Sequence, residues 1–147
     1  MAMQHTPLLM SNILDRGATV APNEEIVTLT ETGVRRQSYR ETRDRAHQLA
    51  HALAGIGIKV GDRVGTFMWN GSRHLEAYHA VAGMGAVLHT LNVRLSPKDL
   101  EYIINHAEDQ IIIVDADLLP LLEVLNGKIP TVLSLIHISE PTRPSSI

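Results

Sequence analysis

The chain has 147 residues, 44% of them hydrophobic, and a net charge of −3 with histidine neutral. This length suits one modest domain with a packed core and is too short for a multidomain enzyme. The small net charge gives no reason to expect nucleic acid as a partner, and the absence of cysteine rules out disulfides and thiolate chemistry. No run approaches the roughly 20 apolar residues of a membrane span, and the first residues lack the pattern of a secretory signal, so we expect a cytoplasmic protein.

The first 57 residues predict a helix, a hairpin and a second helix. In order, these are a helix from Thr6-Pro7 to Gly17, strands over 26–30 and 34–37, and a helix that starts at Ser38 and ends at Gly55 to Gly57. The second helix has the clearest start, since Ser38 and Glu41 form the capping-box pattern. Its apolar face is predicted to comprise Ala46, Leu49, Ala50 and Leu53.

From residue 61 onward, strands and helices alternate. We predict strands over 64–69, 86–91 and 111–114 and from residue 129 onward, with helices over 72–84, 97–107 and 118–125. Ser72 and Ser96 are the predicted N-caps, and Pro97 takes the first helical position after Ser96. Residues 111–114 are apolar without alternation, which is typical of a fully buried strand. The pattern predicts an α/β fold: an N-terminal helix and β-hairpin, then repeated βα units forming a truncated parallel sheet covered by helices.

Residues 73–109 contain several motifs that together resemble a known family. The motifs are Arg73-His74-Leu75-Glu76, residues 83–87 (GMGAV), residues 91–97 (LNVRLSP), and residues 105–109 (NHAED), which lead into a hydrophobic run ending at Asp115. Together they resemble the N-terminal region of AMP-forming acyl-CoA synthetases, which are adenylating ligases that activate fatty acids with ATP and load them onto coenzyme A. A looser resemblance extends upstream to about residue 6.

The resemblance implies a two-step reaction in a full-length enzyme. A fatty-acid carboxylate attacks the α-phosphate of ATP and releases diphosphate, and the thiol of coenzyme A then displaces AMP from the acyl adenylate. ATP, Mg²⁺ and coenzyme A are therefore implied for the full enzyme, and fatty acids are favoured over aromatic acids as substrates. A homodimer through the N-terminal region is also implied, with Asp15, Arg16 and the Glu24-Glu25 pair as charged candidates. Solvated surface is the alternative for these residues.

The groups that perform this chemistry in the family have no counterpart in the sequence. A nucleotide site needs a Gly-rich loop with a lysine near the phosphates, and none of Lys59, Lys98 and Lys128 follows such a loop. Gly83-Met84-Gly85 precedes a strand, so we interpret it as a helix end and tight turn and not as a dinucleotide fingerprint. We therefore predict no catalytic, cofactor-binding or metal-binding residues, no bound cofactor, and no catalysis by the 147-residue chain.

Eight histidines raise the question of a metal site. His47 and His51 stand four residues apart on a predicted helix, a spacing that can hold zinc, but both lie on its charged face, so solvent-facing side chains are the preferred interpretation. Four more histidines fall in the resembling stretch, namely His74, His79, His89 and His106. His106 ends a helix, where a cation suits the helix dipole, so we predict a structural role.

Two positions after predicted strands could hold binding residues. Asp115 follows a buried strand, but a phosphoacceptor site would need an acidic pair where Met68-Trp69-Asn70 stands, so we prefer Asp115 or Asp117 as the cap of the next helix. Asn92 and Arg94 lie in a loop of the kind where binding residues collect, and we assign them no ligand contact. Trp69 is predicted to have a core or packing role.

The last 15 residues differ in character from the rest. The segment from Leu133 to Arg143 (LSLIHISEPTR) resembles translation through a sequencing-library adapter, and a native flexible tail is the alternative. We therefore predict a partial N-terminal domain of an AMP-binding acyl-CoA synthetase over 1–132 and a non-native tail over 133–147.

The functional hypothesis is a fragment of an ATP-dependent fatty-acyl-CoA ligase. The alternative is a self-contained α/β binding or interaction module without catalysis. The argument against it is that a truncated parallel sheet would leave an unpaired, apolar strand edge, which promotes aggregation.

Overall fold

A computed structural model describes residues 7–30 and 33–138. Its elements are α1 (Met10–Val20), β1 (Glu25–Thr30), β2 (Gly33–Ser38), α2 (Tyr39–Gly55), β3 (Arg63–Phe67), α3 (Ser72–Gly83), β4 (Val87–Thr90), α4 (Pro97–Ala107), β5 (Ile111–Asp115), α5 (Leu119–Glu123) and β6 (Ser134–Ile138), with a 3-10 turn at Ala116–Leu118 before α5. The chain divides into a first unit, within residues 1–60 and 70–86, and a second unit, within residues 61–69 and 87–147.

The first unit combines the β1–β2 hairpin with α1, α2 and α3. The two strands are antiparallel, with Glu25 opposite Ser38 and Thr30 opposite Gly33. Its helices share an apolar cluster made of Leu14, Ala46 and Ala80, with Leu49 and Ala50 packed against it. The predicted apolar face of α2 is confirmed, because Ala46 and Leu53 are buried and Leu49 and Ala50 are half-buried.

The second unit is built on a four-stranded parallel sheet in the order β4-β3-β5-β6. Residues 111–114 of β5 are buried throughout, as their unbroken apolar run predicts. Helix α4 packs Leu100 and Ile104 into a cluster with Phe67, Ile112 and Val114. The α/β class with a parallel sheet and covering helices is therefore confirmed.

Two of the three predicted serine N-caps are confirmed. The Ser38 hydroxyl accepts a bond from the Glu41 amide at 3.2 Å and the Glu41 carboxylate accepts one from the Ser38 amide at 2.8 Å, which completes the capping box. Ser96 caps α4 through the amide of Asp99, with Pro97 in the first turn. Ser72 is not a cap: Gly71 holds that position, and the Ser72 amide donates to the Thr28 hydroxyl at 3.0 Å.

The predicted bounds of the first helix are wrong. Helix α1 begins at Met10 and ends at Val20, so it continues through Gly17, and Pro7 lies before it. Thr6, the predicted cap, lies outside the described residues. A Cβ atom on Gly17 would lie 3.3 Å from Cδ2 of Tyr39, so glycine serves close packing at this position and does not end the helix.

The bounds of the last predicted elements also differ from those observed. The helix predicted over 118–125 consists of the 3-10 turn and α5, and the final strand begins at Ser134 instead of residue 129. Gly127 has a φ of +76°, and Pro130 lacks an amide proton, so the backbone turns between these elements. Strand β6, inside the segment predicted to be non-native, pairs with β5 with Ser134 opposite Ile111, and residues 139–147 lie outside the described residues.

Candidate functional site

The carboxyl ends of β3 and β5 lie side by side at the point in the parallel sheet where the chain connections reverse direction. After β3 the chain proceeds to β4 on one side, and after β5 it proceeds to β6 on the other. Open α/β sheets bind ligands at such topological switch points, because the two connections diverge and leave a crevice. Trp69 follows β3, and Asp115 and Asp117 stand at the end of β5 and just after it.

Two hydrogen bonds join Trp69 to the acidic residues at the switch point. Its backbone amide donates to Oδ2 of Asp115 at 2.8 Å, and its indole Nε1 donates to Oδ2 of Asp117 at 2.8 Å. Trp69 was predicted to have a core or packing role, and the core alternative is wrong, since the residue is 49% exposed. Asp115 does hold the N-cap position of the 3-10 turn, but neither aspartate makes the predicted capping bond, because each carboxylate is turned to Trp69.

The loop after β4 adds an exposed arginine at the same edge of the sheet. Oδ1 of Asn92 accepts from the Arg94 amide at 3.0 Å, and its carbonyl accepts from the Leu95 amide at 3.1 Å. Asn92 therefore shapes the turn that leads to α4, and Arg94 is exposed. An exposed indole, a guanidinium and two carboxylates follow three neighbouring strands, so this edge can bind a polar ligand.

A close contact between a histidine and a buried carboxylate joins β4 to a residue two positions before β5. Asp109 is fully buried, and Nδ1 of His89 lies 2.8 Å from its Oδ2 and 3.0 Å from its Oδ1. Burial raises the pKa of Asp109, while the bond to His89 and the charges of His89 and Arg63 act to lower it. The sequence pattern did not reveal this pair. The available signal is a carboxylate placed next to a fully buried strand.

The first unit contains a second buried carboxylate, Glu76 on α3. Its Oε1 accepts from Nε2 of Gln37 at 2.7 Å and from Nε of Arg45 at 2.7 Å, and Gln37 also donates to the Thr42 hydroxyl at 2.9 Å. The bond to Glu76 is the largest cause that raises the pKa of Arg45. Because Glu76 is 5% exposed, this network satisfies a charge that would otherwise be costly to bury.

A crevice of about 130 Å³ is lined by residues of α1, α2 and α3, including Asp15, His47, His51 and His79. His47 and His51 are exposed, as predicted. Burial lowers the pKa of His79. A hydrogen bond to the backbone of Met10 and the charge of Asp15 act in the opposite direction, but their effect is smaller. Across residues 7–30 and 33–138, no group of three or more histidines and carboxylates is placed to hold a metal ion.

Comparison with known proteins identifies the family. The family described as AMP-binding enzyme matches residues 14–145. The chain is 46% identical to a long-chain-fatty-acid–CoA ligase of Thermus thermophilus over 94% of its own length and 26% of that protein. It is 42% identical to a 3-methylmercaptopropionyl-CoA ligase of Ruegeria pomeroyi over 91% of its length and 25% of that protein.

A fatty acyl CoA synthetase of Mycobacterium tuberculosis has the same fold with a TM-score of 0.80 and 25% identity, over 87% of this chain and 26% of that one. The chain belongs to the AMP-binding enzyme family. It spans about a quarter of the curated relatives it matches. In this AMP-binding family member, Glu76, His89 and Asp109 all lie within the resembling stretch 73–109, so both buried carboxylates belong to its motifs.

The remaining motif predictions can be placed on this family fold. Gly83-Met84-Gly85 forms the end of α3 and a turn with Gly85 at a φ of +82°, as predicted. His106 lies in the last turn of α4, and its ring stacks on Tyr102 with centroids 5.6 Å apart. No described helix is long and apolar enough to cross a membrane.

Proposed function

We propose that the chain is part of an ATP-dependent, AMP-forming ligase that converts a fatty acid and coenzyme A to acyl-CoA, AMP and diphosphate. The observation that supports this most is the 46% identity to a long-chain-fatty-acid–CoA ligase along 94% of the chain. The second relative bears the name of a different acyl group, so the family alone leaves a choice of carboxylic acid. Fatty acid is the substrate class we favour, because it belongs to the relative with the higher identity.

The proposal assigns binding of ATP, coenzyme A and Mg²⁺ to the full-length enzyme and not to this chain. Among residues 7–30 and 33–138, no group of three or more histidines and carboxylates is placed to hold a metal ion. None of the described polar clusters pairs a nucleophile with a general base in an open cleft, since both buried carboxylates are held by protein partners. We therefore propose that the 147 residues alone form no acyl adenylate.

A direct assay tests this proposal. The 147-residue chain and a longer protein that continues from it through the family's remaining length would each be given ATP, Mg²⁺, coenzyme A and fatty acids of graded length. AMP and acyl-CoA would be quantified by chromatography. We expect products only from the longer protein. Product from the short chain would overturn its inactivity, and a longer protein that accepts aryl acids but no fatty acid would overturn the substrate class.

The alternative is a binding or interaction module without catalysis. The exposed Trp69, Arg94 and Asp117 at the carboxyl edge of the sheet support it. If the longer protein yields no acyl-CoA with any carboxylic acid, this function takes precedence.

We also propose a homodimer through the N-terminal region. Its support is a set of exposed large apolar side chains at α1: Leu9, the residue before the helix, is 52% exposed, and Ile13 and Val20 within it are 64% and 66% exposed. Ile13→Glu is expected to lower the molar mass measured by light scattering, whereas Val124→Glu, at an exposed valine of the second unit, is expected to leave it unchanged. Equal masses for the wild type and Ile13→Glu would overturn the dimer. A cytoplasmic location belongs to the same proposal, and cell fractionation tests it.

The domain boundary is a further part of the proposal. We place the partial domain at 1–132 and attribute 133–147 to adapter-derived sequence, on the basis of the residues 133–143 themselves. Pairing of β6 with β5 is compatible with either origin, because strand pairing uses backbone groups that every such sequence carries. Sequencing of the source locus across the codon for Val132, without a library step, decides between them.

A further inference from the structure

The β1–β2 hairpin exposes an apolar face to solvent. Val27 and Leu29 point to the same side of β1, and Val34 on β2 stands directly opposite Leu29. These three side chains are 55%, 84% and 56% exposed. The alternate positions Thr28 and Gln37, which point to the other side, are half-buried and buried. An antiparallel sheet with one solvated face normally turns its apolar side chains to the core, so this hairpin has the reverse pattern.

Polar bonds on the inner side of the hairpin fix this orientation. The Thr28 hydroxyl accepts from the Ser72 amide at 3.0 Å, and Nε2 of Gln37 donates to Oε1 of Glu76 at 2.7 Å. A Cβ atom at Gly71 would lie 3.0 Å from Cγ2 of Thr28, so the strand approaches the start of α3 closely. A slip of one residue would turn the apolar side chains inward but would break these bonds. The apolar side is therefore held outward by the packing of the first unit.

The outer face, defined by Val27, Leu29 and Val34, is bordered by one ion pair. Nη1 of Arg36 donates to Oε2 of Glu25 at 2.7 Å, and both residues belong to the same side of the hairpin. The two charges compensate each other, and the side chains beyond them are apolar. An exposed apolar patch bordered by polar groups is typical of an interaction surface.

Two occupants of the outer face differ in what their binding costs. A second copy of the chain would offer three apolar side chains, against roughly 20–30 residues a side in a standard interface. It would also lose translational and rotational freedom on binding. A segment of the same polypeptide avoids most of that loss, because the covalent link raises its effective concentration. The curated relatives have most of their length outside the portion that this chain matches, so such segments exist in the family.

We propose that the outer face is an internal docking surface, covered in the longer protein by an apolar segment of the same polypeptide beyond these 147 residues. The inference rests on the proposed function in one respect, namely that the chain is part of a longer enzyme. It predicts that Val27, Leu29 and Val34 are accessible to water in the 147-residue chain and inaccessible in the longer protein.

Cysteine labelling measures this accessibility directly. The chain contains no cysteine, so Leu29→Cys and Val34→Cys each place a single thiol on the outer face. Both would be made in the 147-residue chain and in the longer protein, and modification by a maleimide would be followed by mass spectrometry of the peptide that contains the site. We expect the rate to fall at least about tenfold in the longer protein, because a covered thiol reacts only when the segment opens. Gln48→Cys, at an exposed position of α2, is the control and is expected to react at similar rates in both.

A charged substitution gives a second test that needs no labelling. Leu29→Lys is expected to lower the melting temperature of the longer protein, because it buries an unpaired charge under the docked segment. It is expected to leave the melting temperature of the 147-residue chain unchanged, since the position is exposed there. Equal changes in the two proteins would overturn the docking surface.

The remaining outcomes separate this proposal from the proposed function. Equal labelling rates of Leu29→Cys in the two proteins would overturn the docking surface even if the longer wild-type protein forms acyl-CoA. Protection in a longer protein that forms no acyl-CoA would support the docking surface and reject the ligase. If labelling in the 147-residue chain slows as its concentration rises, a second copy covers the outer face and the assigned occupant is wrong.

Discussion

Glu76 is the residue on which three segments of the first unit converge. Gln37 from β2 and Arg45 from α2 both donate to one of its carboxylate oxygens, although they lie 39 and 31 positions away in sequence. A buried carboxylate with two donors fixes the orientation of those donors as well as its own. Removal of the carboxylate leaves the Gln37 amide buried without one of its acceptors.

Glu76→Ala is therefore expected to lower the free energy of unfolding by about 1–3 kcal/mol, the cost of leaving a buried polar group unpaired. Urea denaturation followed by circular dichroism measures it. Glu123→Ala, at an exposed glutamate on α5, is the matched control and is expected to change stability by less than about 0.5 kcal/mol. Equal effects of the two substitutions would contradict a stabilising network at Glu76.

The lowered pKa of His79 predicts that the stability of the chain depends on pH. Its pKa is lowered in the folded chain from an ordinary value of 6.5, mainly by burial, so the unfolded chain binds more protons just below that pH. Its contribution is fully present above about pH 6.5 and is lost as pH falls through the lowered pKa. His79→Gln is expected to reduce this loss, measured as the change in melting temperature between about pH 7.5 and pH 5.5.

The control for this measurement is His47→Gln. His47 lines the same crevice, but its side chain is 59% exposed, and its distance of 3.7 Å from Asp15 allows only a weak ion pair. The His47→Gln variant is therefore expected to keep the pH dependence of the melting temperature seen in the wild type. If the melting temperature of His47→Gln did not change with pH, or if that of His79→Gln changed as much as in the wild type, a group other than His79 would be responsible for the pH dependence.

At the scale of the elements, the three serines before or at the start of helices separate local from tertiary effects. Ser38 and Ser96 each accept a bond from the amide three residues on, so Ser38→Ala and Ser96→Ala are expected to cost about 1 kcal/mol each. The Ser72 hydroxyl is buried and has no hydrogen-bond partner among the described residues. Ser72→Ala is therefore expected to leave stability unchanged or to raise it. A loss at Ser72 equal to that at Ser38 would show that the hydroxyl does act as a cap.

Sequence reasoning succeeded where the signal is local. The capping box at Ser38, the proline after Ser96 and the apolar run of β5 each fix their element within a few residues. The prediction that Gly17 ends the first helix failed. A glycine can end a helix or can make room for a neighbouring ring, and the sequence alone does not distinguish the two roles. Only the position of Tyr39 in the structure shows that Gly17 has the second role. The prediction that Ser72 is an N-cap failed for a similar reason. The Ser72 amide donates a hydrogen bond to the hydroxyl of Thr28, which lies 44 positions away in the sequence.

The candidate sites show the same division. The position of Asp115 after a buried strand was predictable, but its bond to the Trp69 amide, from 46 positions away, was not. The His89–Asp109 pair depends on strand register: Gly65 has to stand between β4 and β5 for the side chains to meet. No periodicity in one sequence encodes that register, because neighbouring parallel strands are joined by long connections.

At the scale of the whole molecule, we expect the edge of the parallel sheet at β4 to promote association of the chain in solution. Strand β4 has one partner among the described strands, β3, and its Val87 is 48% exposed. An open strand edge with an apolar side chain is a template for pairing with a second molecule, and a charged residue on the edge opposes this. Val87→Lys is therefore expected to reduce the light scattering that develops when the chain is warmed at micromolar concentration. Val124→Lys is the matched control, because it adds the same charge at a valine of similar exposure, 55%, that lies outside the strands.

If both substitutions reduce scattering equally, net charge and not the β4 edge controls association. If Val87→Lys has no effect, β4 is not the surface through which the chains associate.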